Sequence, residues 1–204
     1  MMRLVIAVVL GAILLLVGFK IWTHKTPVHG GSIVFLGDSI TAGYGLDPGQ
    51  GYPDLIRIPG MTTQNLGVAG NTSADGMQRL RDFFADGATP RLVVIALGAN
   101  DILHGVPADA TEANLNDILA ECKKRSIPVL LCGVKIPYKF GTDAIFENVA
   151  HKNHVALVPD ILMGAAFHDD LMQDDHMHPT AAGQKIIAEK MRAALLDHFA
   201  FETN

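Results

Sequence analysis

From Gly31 onward the chain repeats one pattern: a short apolar run, a cluster of glycine and small polar residues, then a stretch with apolar residues at helical spacing. Apolar runs without internal alternation suit strands buried on both faces, and the longer amphipathic connections between them suit crossover helices. The runs 32–36, 62–68, 91–97, 127–134 and 155–159 are read as five parallel strands, the second being the weakest. Helices are expected between them. Thr72 is placed to cap one over 72–87, a second covers 108–126, and the last, 180–199, puts Ile186, Ile187, Met191, Leu195 and Phe199 on one stripe. The expected fold class is therefore α/β, a three-layer α/β/α domain with a five-stranded parallel sheet.

This reading covers residues 26–204 as a single domain, which suits the length of the chain. Residues 1–25 are set apart. They are apolar without interruption from Leu4 to Phe19, and Lys20 stands where its charge would reach a membrane surface. No small-residue cleavage site follows closely, since the next residues are KIWTHKTPVHGGS, so an uncleaved membrane anchor is the expectation and a cleaved signal segment the alternative. Either one makes the domain membrane-anchored or exported, with the extracytoplasmic side favoured. The flanking bases Arg3, Lys20 and Lys25 do not choose an orientation.

Beyond Lys25 lie 13 of the 16 Lys and Arg and all 21 Asp and Glu, a formal charge of −8 that argues against nucleic acid as a partner. Cys122 and Cys132 have no metal-ligand spacing and are expected to be buried free thiols. The pattern carries no signal of oligomeric state.

In open parallel sheets, ligands bind beyond the carboxyl ends of the strands. There the chain places GDSITAGYG, GVAGNTSADG, GANDILHG and, further on, HDDLMQDDHMHPTAAG. Ser39 stands at a strand-to-helix turn, where backbone N–H groups favour developing negative charge. A serine hydroxyl needs a base, and the base needs an orienting acceptor. Asp175 and His178, three residues apart, supply both from one loop, with Asp174 and His176 as neighbouring decoys. The Gly67 N–H and the Asn100 side-chain amide are candidate donors to an oxyanion. Asp38 and Asp101 are read as structural. The His and Asp of the last block also raise a divalent metal, but without the spacing of a metal site, so no metal and no cofactor are expected.

The blocks GDSITAGYG, NLGVAGNTSADG, LGANDIL and DDHMHP, in this order, resemble the four sequence blocks of the SGNH (GDSL-type) hydrolase superfamily. They are particularly similar to its small bacterial thioesterase, lysophospholipase and arylesterase branch. The resemblance implies a flavodoxin-like strand order, 2-1-3-4-5. It implies Ser39 as nucleophile with its own N–H in the oxyanion hole beside Gly67 and Asn100, His178 as general base, and Asp175 as its partner. It also implies hydrolysis of aryl, acyl or lysophospholipid esters or of thioesters through an acyl-enzyme. The substrate would be a small-molecule or lipid acyl ester, for which Leu46, Ile102, Leu103, Ile136, Phe140, Met172 and Met177 are candidate groove residues, and the loop 135–141 a candidate cover. Three other functions stay open on the residues alone: an envelope carbohydrate O-deacetylase on the same triad, a flavodoxin-like phosphate-binding module using GDSITAG, and a metal-dependent phosphoesterase using the acidic tail.

Overall fold

The computed structural model describes residues 25–202 except 137, 138 and 140. The apolar segment Leu4 to Phe19 and Phe140 thus lie outside the described residues. In chain order the elements are β1 (Thr26–His29), β2 (Gly31–Gly37), α1 (Ser39–Ala42), α2 (Tyr52–Leu55), β3 (Met61–Gly67), α3 (Ser73–Ala85) and β4 (Leu92–Ala96). Then follow α4 (Ala99–His104), α5 (Ala108–Lys124), β5 (Val129–Cys132), α6 (Asp143–Asn153), β6 (Ala156–Val158), α7 (Ala181–His198) and β7 (Phe199–Glu202).

The central sheet is parallel throughout and ordered β3-β2-β4-β5-β6, which is the order 2-1-3-4-5 in terms of the five expected strands. Helices α3, α5 and α6 pack in sequence against one another on one face, while α2 and α7 pack together on the other. Burial explains why the inner strands were legible. Ile33, Val34, Phe35 and Leu36 of β2 and Leu92 to Ile95 of β4 are all inaccessible to solvent. Each such side chain contributes roughly 1.5–3 kcal/mol on burial, more than the spread of about 1 kcal/mol in strand propensity. Among the described residues the edge strand β3 pairs with β2 alone and is exposed or half-buried throughout, which is why its polar composition made it the weakest of the five expected strands.

A second, two-stranded parallel sheet was not expected. In it β1 pairs with β7, from Thr26 against Phe199 to His29 against Glu202. The last helix ends at His198 instead of running through Phe199, because the chain turns extended to meet a partner more than 170 residues away in sequence. Thr72 caps α3 as expected, in a capping box with Asp75. Both cysteines are buried and free, and burial pushes the Cys122 thiol up to about 12.

Candidate active site

Ser39 is the first residue of α1, directly beyond β2. The buried Asp38 carboxylate caps this short helix by accepting from the Ile40 N–H at 3.0 Å. As the leading residue of the helix, Ser39 has an N–H with no intrahelical acceptor. Close backbone contacts hold the turn: a side chain on Gly67 would overlap the backbone of Ala42, so only glycine lets the end of β3 lie against α1. Asn65 Nδ2 donates to the Thr41 carbonyl at 2.8 Å across the same contact. On the other side, the buried Gln184 of α7 accepts from the Tyr52 N–H at 2.9 Å and donates to the Ile40 carbonyl at 3.0 Å.

His178 reaches Ser39 from a loop 139 residues away in sequence, with Nε2 2.9 Å from the Ser39 hydroxyl oxygen. Its Nδ1 is 2.6 Å from Asp175 Oδ2. A carboxylate only accepts, so Nδ1 carries the proton and Nε2 is left to accept from Ser39. The other carboxylate oxygen, Oδ1, accepts from the Met177 and His178 N–H groups, each at 2.9 Å. Burial would raise the Asp175 pKa, but these bonds and the facing imidazole outweigh it and hold the carboxyl down to about 2. The His178 ring also packs on Tyr44, with centroids 4.7 Å apart. The loop is closed by an isolated bridge between Met172 and Pro179 and by the Gln173 N–H donating to the His178 carbonyl at 2.7 Å.

The decoys stand apart. Asp174 and His176 are exposed, and neither makes a side-chain hydrogen bond to Ser39 or His178 among the described residues. Asp101 is fully buried and accepts from the Ser73 N–H at 2.7 Å and from the Ser73 hydroxyl, which ties α3 to α4 and makes it structural.

The two expected oxyanion donors part company. Asn100 lines the same cavity as Ser39 and His178. One of its amide hydrogens is used on the Asn71 carbonyl at 2.9 Å and the other is left over. Gly67 is a correction: its N–H donates to Asn65 Oδ1 at 2.8 Å, and it does not line the cavity. Gly70 of the same block stands differently. It lines the cavity at a left-handed φ of 79°, and its N–H finds no acceptor among the described residues. The block GVAGNTS offers two glycines, and the signal separating them was Asn65, whose side chain reaches forward two residues to the Gly67 N–H.

A side-chain relay sequence reading missed supports Asn100 from behind. Arg79 of α3 donates to the Gly37 carbonyl at 2.8 Å and to Asn71 Oδ1, and the Asn71 carbonyl then accepts from Asn100. Burial raises the Asp38 pKa to about 6, opposed by the Ile40 N–H, His178 and Arg79.

The cavity at Ser39 has a volume of about 230 Å³. It shares Ile40, Ala99, Leu103 and Met177 with a larger groove of about 580 Å³, which continues past Val134, Ile136, Leu162 and Met172. Of the expected groove residues, Leu103, Ile136, Met172 and Met177 line this space. Ile102 turns into the core, and Leu46 lies half-buried outside both cavities.

A serine, an imidazole and a carboxylate hydrogen-bonded in series at the carboxyl edge of a doubly wound sheet define a site of the serine-hydrolase type. The comparisons with known proteins agree with that class: the chain belongs to the GDSL-like lipase/acylhydrolase family, which matches residues 35–186, and it is a carboxylic ester hydrolase. Esterase TesA of Pseudomonas aeruginosa is 32% identical over 172 residues, 78% of this chain and 85% of that protein. Thioesterase 1/protease 1/lysophospholipase L1 of Escherichia coli K12 is 30% identical over 173 residues, 80% of this chain and 83% of that one. A crystal structure of TesA superposes with a TM-score of 0.73 at 31% identity, covering 80% of this chain and 97% of the other.

Proposed function

We propose that the protein hydrolyses acyl esters or thioesters through an acyl-enzyme on Ser39. The observation that carries this is the unbroken hydrogen-bond series from Asp175 through His178 to Ser39. Ser39 passes its proton to His178 Nε2 as its oxygen bonds to the substrate carbonyl carbon, and the carbonyl electron pair moves onto oxygen. The N–H groups of Ser39 and Gly70 and the spare amide hydrogen of Asn100 receive that charge. His178 then returns the proton to the departing alcohol or thiol, and a water activated by His178 releases the acid by the reverse sequence. Asp175 holds the imidazole in the tautomer this needs and stabilises its charge.

The acyl portion is the fatty chain of a substrate larger than an acetyl ester. A groove of about 580 Å³ opening from the serine supports this, since an O-deacetylase would leave it unused. We read the apolar run Leu4 to Phe19 as a membrane anchor that keeps the domain on the extracytoplasmic side.

Intact mass after treatment with a fluorophosphonate tests the mechanism. One adduct is expected on the wild type and none on Ser39→Ala or His178→Ala, and a folded wild type without an adduct overturns it. A reporter active only outside the cytoplasm, fused after residue 30, tests the location. A silent fusion overturns it.

A further inference from the structure

The described chain begins, and the catalytic mouth opens, at opposite ends of the domain. The first described residues enter at the amino edge of the sheet, where Thr26 and Pro27 share a groove with Lys123, Pro128, His154 and His198. Ser39 and His178 stand at the carboxyl edge. Helix α7 measures the distance between them, because it starts just after Pro179 and ends where β7 pairs with β1. Its 18 residues span about 27 Å at 1.5 Å per residue.

The link between anchor and domain is shorter than that. From Phe19 to Lys25 the chain takes six steps, at most about 22 Å when fully extended. Crossing a hydrocarbon core needs roughly 20 residues, more than the sixteen from Leu4 to Phe19, so a span has no apolar residues to spare for lengthening this link. Such a link cannot run the height of the domain and leave the mouth turned toward the bilayer.

Charge selects the same pose. Exposed Lys25, Arg91, Lys123 and Lys152 stand at the amino edge, with Lys124 and Arg125 partly spent on Glu121 and with Asp86, Asp197 and the His29-paired Glu202 among the acids nearby. The carboxyl edge carries exposed Asp47, Asp169, Asp170, Asp174 and the His178-paired Asp175 against the exposed Lys135 and Lys139, a net excess of acid. An anionic lipid surface attracts the first edge and repels the second. Tyr44, Leu103, Phe167 and Met177 do expose apolar surface around the mouth, but the link is too short to bring them to the anchoring bilayer.

We propose that the domain stands on anionic lipid by its amino edge, holding Ser39 away from the bilayer, so that it acts on acyl esters arriving from the aqueous side and not on lipids of its own membrane. This rests on the ester-hydrolase and anchor readings above. The full chain is reconstituted in vesicles of phosphatidylglycerol and phosphatidylcholine (about 3:7) containing headgroup spin-labelled lipid. One dye is attached to Ser39 as a fluorophosphonate and another to Ser126→Cys; the native cysteines are buried. Strong quenching at residue 126, weaker on pure phosphatidylcholine, with little at Ser39, is expected; the reverse overturns the pose.

A lysophospholipid placed in the protein's own vesicle should be hydrolysed at least tenfold more slowly than in detergent micelles, with a soluble ester unchanged. Inserting a 20-residue Gly/Ser linker after Thr23 should recover much of that loss, and equal rates without the linker overturn the proposal. Absence of the Ser39 adduct indicts the hydrolase reading instead, and release from vesicles by alkaline carbonate indicts the anchor.

Discussion

Gln173 Nε2 donates to the Tyr44 carbonyl at 2.8 Å and to the Pro179 carbonyl at 3.0 Å. One side chain thus joins the loop bearing His178 to the turn that follows Ser39. It sets the approach of base to nucleophile without touching either. Gln173→Ala should lower kcat roughly tenfold with little change in KM, and should slow fluorophosphonate labelling in proportion. Loss of two hydrogen bonds should cost about 1–3 kcal/mol in stability. Steady-state kinetics beside a denaturant titration checks this, and an unchanged labelling rate would assign Gln173 a purely structural role.

Asn100→Ala should lose about 10² to 10³ in kcat, the usual cost of one oxyanion donor, with the melting temperature nearly unchanged. Gly67→Ala should do the opposite to first order. Its new methyl overlaps the backbone of Ala42, so stability falls first and activity follows the folded fraction. Kinetics corrected for folded fraction separates the two effects.

His178→Ala should abolish turnover to the residual level left by the remaining groups, and adding Ser39→Ala should lower it little further, because members of a triad act as a unit. His176→Ala should stay within a few-fold of wild type, since that ring is exposed and outside the hydrogen-bond series. Activity assays on the three variants decide it, and a reversal of the two histidines would reassign the base.

The two perturbed aspartates pull the pH dependence of stability in opposite directions. The Asp38 pKa lies at about 6 in the folded protein against an ordinary 3.8, so between those values the folded state holds a proton that the unfolded chain releases. Its contribution is full below about pH 4 and is lost as pH rises through 6. Asp175 sits at about 2, so its smaller, solvent-screened contribution is present above about pH 4 and is lost as pH falls toward 2. Asp38→Asn keeps an oxygen to cap Ile40 and removes the buried charge. Its melting temperature relative to wild type should therefore rise between pH 4 and 7, and a flat difference would rule out the buried charge as the cause.

Leu103 is shared by the two cavities and is partly exposed, so a larger side chain there fits without disturbing the core. Leu103→Trp should lower kcat/KM for long-chain p-nitrophenyl esters at least tenfold while sparing the acetate ester. A uniform loss across chain lengths would place the acyl chain elsewhere.

The sequence by itself determined what depends on neighbours along the chain or on burial from both sides. The strands β2, β4 and β5 were legible because every residue of their middles is apolar. The Asp175–His178 pair was legible because a spacing of three residues lets one tight loop join a carboxylate to an imidazole and its backbone N–H. The four blocks told which residues to consider, and with them the family.

Only the tertiary structure decided which distant groups meet. The pairing of β1 with β7 has no local signature, because a four-residue strand is stabilised by its partner and not by its own propensity. Gly70, not Gly67, offers an N–H without an acceptor among the described residues, because the Gly67 N–H donates to Asn65 Oδ1. Gln173, Arg79 and Gln184 could not be singled out from sequence, since a long polar side chain acquires a role only when folding sets a specific carbonyl or amide within about 3 Å of it. The distance from the start of β1 to the mouth is likewise a property of how α7 spans the sheet, and no stretch of sequence contains it.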